Sequence, residues 1–208
     1  MTDLEFWNLG AITNYRLTIS ANDDPDFFEQ TGKAEADILN SIIPASSRGT
    51  IVDYGCGAGR VSKWMADSFE KVIAFDWSEE MLKLLPKRPN IQPCISLDGV
   101  VADVAFSTHV LFHCQHKDLQ SQFDALAKCM KDGGDLVVHL PAYEIEVDRD
   151  PDQPGGICTV TEERLRSLMV NAGFTPSQIM VSKGQYVIGE EPPMNHWAYH
   201  TAYKTKTV

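Results

Sequence analysis

Ile51-Val52-Asp53-Tyr54-Gly55-Cys56-Gly57-Ala58-Gly59-Arg60 is the stretch that decides the fold. A short apolar run, beginning at Thr50, ends in a carboxylate, and glycine then recurs at every second position. Glycine is needed where a backbone turns sharply and where a ligand must approach without a Cβ in the way. Val61, Trp64, Met65 and Phe69 follow close to a 3.6-residue period, so the turn is expected to open onto a helix. In a parallel sheet, the crevice outside such a strand's carboxyl end is where ligands bind.

A dinucleotide site would read G-x-G-x-x-G. Here the third glycine comes one residue early, at Gly59, and Arg60 occupies the dinucleotide position. The carboxylate of Asp53 suits a cationic amine and would repel a pyrophosphate. A second strand, Val72-Ile73-Ala74-Phe75, also ends in a carboxylate, Asp76, 17 positions beyond Gly59. A carboxylate there can accept from both hydroxyls of a ribose. Trp77 follows and offers a flat face to a purine. The ligand implied is a nucleoside with a cationic, amino-acid-like end and no required phosphate.

Outward from these two segments, short apolar runs alternate with helical patterns, which argues for βαβ units and a mainly parallel sheet. Ser78 is a good N-cap, with Glu79 and Glu80 in the first turn and Pro86 and Pro89 ending the helix. Further strands are predicted near Ile91–Leu97 and Val101–Ser107, too close together for a full helix between them. Leu119, Phe123, Leu126 and Met130 share one helix face, with Gly133-Gly134 as the stop before a strand at Leu136–Leu140. Residues 148–156 read as a turn-rich loop. Thr161 caps a last helix carrying Leu165, Leu168, Met169 and Ala172, and Gly173 ends it. Strands near Ser177–Ser182 and His196–Tyr203 complete the pattern, a pair of the kind that includes an antiparallel edge strand. The expected fold is α/β: a doubly wound, seven-stranded, mostly parallel sheet over residues 50–208.

Residues 1–49 stand apart as an N-terminal segment. A helix is expected near Phe27–Ile43, with Ile38, Leu39 and Ile42 on one side. Residues 1–19 show the periodicity of neither a strong helix nor a strand. Phe6, Trp7, Tyr15, Phe27 and Phe28 are many aromatics for a solvated tail, so this segment is a candidate lid over the ligand mouth.

The 208 residues are enough for one domain with a sizeable core. The net charge of −11 opposes docking on nucleic acid or anionic lipid, because no excess of cations exists to displace counterions. Neither a signal peptide nor an apolar run of roughly 20 residues is seen, so no membrane partner is expected. Five cysteines without CxxC spacing read as reduced thiols in a cytoplasmic protein.

Together these segments resemble the class I S-adenosylmethionine-dependent methyltransferases. The first motif matches Asp53 to Gly59, and the second Phe75-Asp76-Trp77-Ser78 with the Glu79-Glu80-Met81-Leu82 helix start. Ala102 to Leu111 resembles the family's fourth strand and its turn, and Gly133-Gly134-Asp135-Leu136 the start of its fifth. The resemblance covers roughly residues 35–205. It implies a Rossmann-like fold and S-adenosylmethionine as cofactor. It further implies that Gly55, Gly57 and Gly59 shape the cofactor turn, Asp53 lies near the methionine amine, Asp76 holds the ribose and Trp77 flanks the adenine. By the same likeness Asp98 sits near the adenine amine, and Ser107 and Thr108 beside the methionine moiety.

Methyl transfer from a sulfonium needs no covalent enzyme intermediate, so Cys56 reads as small packing. His109, His113 and Tyr143 are the candidate catalytic residues, as general base for an acceptor that arrives protonated. His109 and His113 lie four apart, a metal-ligand spacing, but no third ligand is evident and no metal site is expected. His139, inside a strand, reads as core. The acceptor is expected to be a small molecule with an O- or N-nucleophile. A protein acceptor, and a non-catalytic cofactor-binding subunit, are the alternatives; oligomeric state is not readable.

Overall fold

The computed structural model describes residues 1–141, 146–181 and 197–205 of the chain. β1 (Thr50–Tyr54) is an interior strand of the sheet, and Ile51 and Val52 point to opposite faces without exposure on either. A strand apolar on both faces is what a parallel sheet covered by helices requires. Around it stand β2 (Lys71–Phe75), β3 (Ile91–Cys94), β4 (Ala102–Thr108), β5 (Met130–Pro141), β6 (Phe174–Val181) and β7 (Trp197–Lys204). Among the described residues they form one seven-stranded sheet in the order β3-β2-β1-β4-β5-β7-β6. β1 to β5 pair in parallel, and β7 runs antiparallel to both β5 and β6. The antiparallel strand therefore lies one position in from the edge, which β6 occupies. The chain steps outward from β1 to β3 and then crosses to β4, so the switch point falls between β1 and β4. There the strand ends splay helices to opposite sides and leave a crevice.

Each face of the sheet carries its own core. On one, α2 (Pro25–Ile42) and α3 (Ser62–Met65) bury Ala36, Leu39, Ile43, Val61 and Met65 against Ile51, Val72, Val104 and Phe106. On the other, α5 (His116–Lys128) and α6 (Glu162–Asn171) bury Leu119, Phe123, Leu126, Leu165 and Met169 against Val52, Ala105 and Leu136. α2 is thus a layer of the α/β core, although it precedes residue 50. The expected caps are present. Ser78 Oγ accepts from Met81 N at 3.1 Å to start α4 (Glu79–Leu82), and Thr161 Oγ1 accepts from Arg164 N at 3.2 Å to start α6.

Two expectations fail locally. Met130 is not the last residue of a helix face: α5 stops at Lys128, and Met130 already pairs with Ala102 in β5. The Gly133-Gly134 pair does not stop the helix but lies inside β5. From Ala102↔Met130 to Val104↔Asp135 that strand takes five steps against two of β4. Gly133 has φ +78°, and a Cβ on Gly134 would come within 2.8 Å of the Asp103 carbonyl oxygen, so the pair absorbs the excess chain where the strands touch.

The second correction is at the N-terminus, where an irregular segment was expected. Residues 3–20 form α1 (Asp3–Ser20), broken only at Asn14. Thr2 and Glu5 close a capping box: Glu5 N donates to Thr2 Oγ1 at 3.2 Å and Thr2 N to Glu5 Oε2 at 2.7 Å. Its apolar residues are scattered around the axis, with Leu4, Leu9, Ile12 and Leu17 exposed, so periodicity could not reveal it. No helix among the described residues is long and apolar enough to cross a membrane.

Candidate active site

At the switch point the glycine turn is tied to β2. The N–H groups of Gly55 and Cys56 both donate to the Phe75 carbonyl, at 2.8 and 2.9 Å. Gly55 has φ +81°, and a Cβ there would lie 2.4 Å from Val110 Cγ2. Gly57 has φ +53° and leaves space bounded only by the Ile19 side chain. Side chains other than hydrogen are excluded at the first position by packing and disfavoured at both by conformation.

Four charged or flat groups surround this turn. Asp53 is buried and accepts from Ser62 Oγ at 2.5 Å; burial pushes its carboxyl up to about 7, against the pull of Ser62 and Arg60. Arg60 is 8% exposed, and its Nη1 has no hydrogen-bond partner among the described residues. Asp76 accepts from Gly57 N through Oδ2 and from Ser78 N through Oδ1, each at 2.8 Å. Burial raises its pKa, and the backbone N–H groups of Ser78, Gly57 and Trp77 oppose the rise. Trp77 is 60% exposed, with its ring edge-on to Phe75 at 6.5 Å.

Asp53, Gly55, Gly57, Arg60, Asp76, Trp77, Thr108, His109 and His113 all line one cavity of about 710 Å3. α1 roofs it: Trp7 lies edge-on to His113 at 5.1 Å, Asn8 Oδ1 accepts from Ser78 Oγ at 2.6 Å, and Ile19 covers Gly57. The roof is pinned by Arg149, which donates to both carboxylate oxygens of Asp3 at 2.5 and 2.8 Å.

Not every sequence candidate reaches the cavity. Gly59, φ +81°, turns the chain beneath the site, where a Cβ would strike Leu85 and Pro86. Ser107 is buried and donates to the Tyr54 carbonyl at 3.1 Å, behind the lining. Asp98 stands on the surface, 82% exposed and paired with Lys128 at 3.4 Å, and is not part of the cavity wall. β3 ends at Cys94, so the chain has already left the strand end when it reaches Asp98. Cys56 is buried, and burial drives its thiol well above the usual range, as a packing role requires. Tyr143 lies outside the described residues.

The histidines do not pair as their spacing suggested. His109 is in the left-handed region, φ +59°, and His113 ends a single 3₁₀ turn (Leu111–His113), so no shared helix face exists. His113 Nδ1 donates to the Gly156 carbonyl at 2.9 Å, which leaves its Nε2 as the basic nitrogen. Burial lowers its pKa. His109 instead turns toward α2, where its Nε2 lies 3.3 Å from Glu35 Oε2. Glu35 Oε1 is 3.7 Å from Nδ1 of His139, and the two imidazole rings stand edge-on at 4.6 Å. Burial pushes His139 well below the usual histidine range. Burial alone would raise Glu35, but the hydrogen bond from His109 and the nearby charge of Arg60 hold it ionised. Glu35, Arg60 and His139 were not singled out as site residues from sequence. Their sole signal was polarity at core positions of a helix, a helix start and a strand.

A family model described as "Methyltransferase domain" matches residues 27–179. No curated protein matches the chain. Among solved structures, the magnesium protoporphyrin IX methyltransferase of Synechocystis with bound S-adenosylmethionine has a TM-score of 0.69 at 15% identity, covering 99% of this chain and 98% of that one. The 1,6-didemethyltoxoflavin-N1-methyltransferase of Burkholderia thailandensis has a TM-score of 0.68 at 16% identity, covering 99% and 92%. An S-adenosylmethionine-dependent methyltransferase of Mesorhizobium loti has 0.63 at 20% identity, covering 84% and 99%. These three share the fold of this chain. With the family model spanning most of the sheet and the glycine turn at its centre, the chain belongs to the class I, Rossmann-like S-adenosylmethionine-dependent methyltransferases.

Proposed function

We propose that this methyltransferase transfers a methyl group from S-adenosylmethionine to the oxygen or nitrogen of a small molecule. The observation that carries the reading is that Asp53 and Arg60 bracket the glycine turn and both line the cavity. An anion and a buried guanidinium with an unpartnered Nη1 suit the amine and carboxylate of an α-amino acid. The neighbouring Asp76 and Trp77 suit a ribose and a purine. The cradle at Gly57, which a side chain would fill, fits the same group. S-adenosylmethionine supplies, when bound, a methyl already activated on a sulfonium.

The chain's own residues supply placement and a proton acceptor. Asp53, Arg60 and Asp76 orient the donor, and Trp7 and Ile19 on α1 keep water from the reacting end. His113, with Nδ1–H fixed on Gly156, lines the cavity and keeps Nε2 as its basic nitrogen. Burial keeps it neutral near pH 7, so it can take a proton from an acceptor O–H or N–H. His109 lines the same wall with its Nε2 held by Glu35.

A cavity of about 710 Å3, shared with a nucleoside cofactor and roofed by a helix, leaves room for a small acceptor rather than a polymer. The net charge of −11 argues the same against nucleic acid. Two of the structural relatives are named for small molecules, magnesium protoporphyrin IX and 1,6-didemethyltoxoflavin. Calorimetry with S-adenosylhomocysteine and with NADH, followed by a methyl-transfer assay across phenol, amine, carboxylate and peptide acceptors, tests the reading. Binding of NADH alone, or transfer only to peptides, would overturn it.

A further inference from the structure

We propose that Glu35, His109 and His139 form a site for a borderline divalent metal ion, such as Zn2+, in the wall of the active-site cavity. The three come from separate elements: Glu35 from α2, His109 from the turn after β4, and His139 from β5. One ligand atom from each lies within 4.8 Å of the other two. The carboxylate meets one imidazole through each oxygen, at 3.3 and 3.7 Å. Two ligand atoms on one tetrahedral zinc stand about 3.4 Å apart, given bond lengths of about 2.1 Å. The two spacings, one from each carboxylate oxygen, lie near that value, and drawing one atom from each residue onto a single ion asks the widest pair for at most about 1.4 Å of movement, shared between two side chains.

The donor set is selective. Two imidazoles and one carboxylate suit zinc, cobalt, nickel or ferrous iron and offer too few oxygens for calcium or magnesium. Glu35 and His139 are almost wholly buried, so the ligands are held by packing, while His109 reaches the cavity. His109 adopts a left-handed backbone that non-glycine residues rarely take, and from it the ring reaches Glu35 at 3.3 Å and stands edge-on to His139 at 4.6 Å. An ion with three protein ligands keeps an open position, and the cavity lies on the side of His109. An acceptor's oxygen could occupy it and be polarised there. Arg60, 3.9 Å from Glu35 Oε2, is a like charge to any such ion and lowers the site's affinity.

The test is direct titration of the tag-free, chelator-treated full chain with Zn2+, and with Co2+ for its absorption spectrum, without cofactor. The expected result is one equivalent of Zn2+ and a Co2+ spectrum without the near-ultraviolet thiolate band that the five cysteines would give. His139→Gln and Glu35→Gln should each weaken Zn2+ binding at least ten-fold. X-ray absorption on the zinc-loaded wild type should show imidazole and oxygen and no sulfur, and it stands even if a variant fails to fold. No binding, sulfur ligation, or unchanged affinity in a folded variant would overturn the proposal. Because cofactor is absent from these measurements, such a failure leaves the methyltransferase reading intact.

Discussion

Replacing Asp76 tests the cofactor reading most sharply, because its carboxylate is already engaged on one side and aimed at the cavity on the other. Oδ2 accepts from Gly57 N and Oδ1 from Ser78 N, both at 2.8 Å. Each oxygen keeps a second lone pair, so the group can still accept two ribose hydroxyls. Hydrogen bonds to a charged group are worth about 1.5–3 kcal/mol, and two on one carboxylate do not add in full. Asp76→Ala should therefore weaken S-adenosylhomocysteine binding by about 10- to 150-fold. Asp76→Asn separates shape from charge. Its amide has one oxygen for two backbone N–H groups, so its NH2 must face a donor at either Gly57 or Ser78. The isosteric change should consequently fail to restore affinity. Calorimetry on both variants, with circular dichroism to confirm the fold, gives the comparison. A folded Asp76→Ala protein that binds within two-fold of the wild type would remove Asp76 from the site.

The pH dependence follows from Asp53, whose carboxyl burial raises from 3.8 to about 7. Its contribution to stability is full below about pH 4 and is lost as pH rises towards 7, because the unfolded chain ionises first. A cofactor amine needs the ionised form, so affinity for S-adenosylhomocysteine should rise between about pH 5.5 and 7.5, with proton release. Calorimetry in buffers of different ionisation enthalpy reads both, and pH-independent affinity would place the amine elsewhere. His113→Ala should lower kcat by about 10²–10⁴-fold with cofactor affinity kept; an unchanged kcat would mean that the acceptor arrives deprotonated or that another base serves. For the N-terminal lid, hydrogen exchange across residues 1–20 should slow when S-adenosylhomocysteine binds, and Arg149→Met, which unpins Asp3, should speed exchange in the free protein. Equal protection with and without ligand would make α1 a fixed wall.

What could be read from the sequence was what short stretches dictate by themselves. β1, β2 and their terminal carboxylates, the Ser78 and Thr161 caps, and the apolar stripe of α5 all announce themselves within about ten residues. The position of β7 did not, since nothing local says whether a final strand lies outside or inside its partner. α1 escaped for a related reason. Its stability comes from a capping box and from Trp7 and Ala11 against the rest of the fold, not from an apolar stripe of its own. Met130 continues the α5 periodicity, yet pairing with Ala102 outweighs one more helical turn.

The site divides along the same line, and the division is physical. The cofactor cradle is built almost wholly from one turn and two strand ends, so its residues carry a spacing that survives without the fold. The histidine side of the site is assembled from α2, the turn after β4, the middle of β5 and the loop at Gly156, and no spacing connects Glu35 to His139 or His113 to a carbonyl 43 residues away. His109 and His113 show the cost of reading such residues by sequence distance. Four positions apart, they imply a shared helix face, but a left-handed residue at 109 sends one imidazole to a buried carboxylate while the 3₁₀ turn gives the other to a backbone oxygen. The two rings are thereby set apart by what each nitrogen touches. On the proposed reading, the donor half of the reaction is written in a motif, whereas acceptor choice rests on long-range contacts that can be exchanged without disturbing that motif.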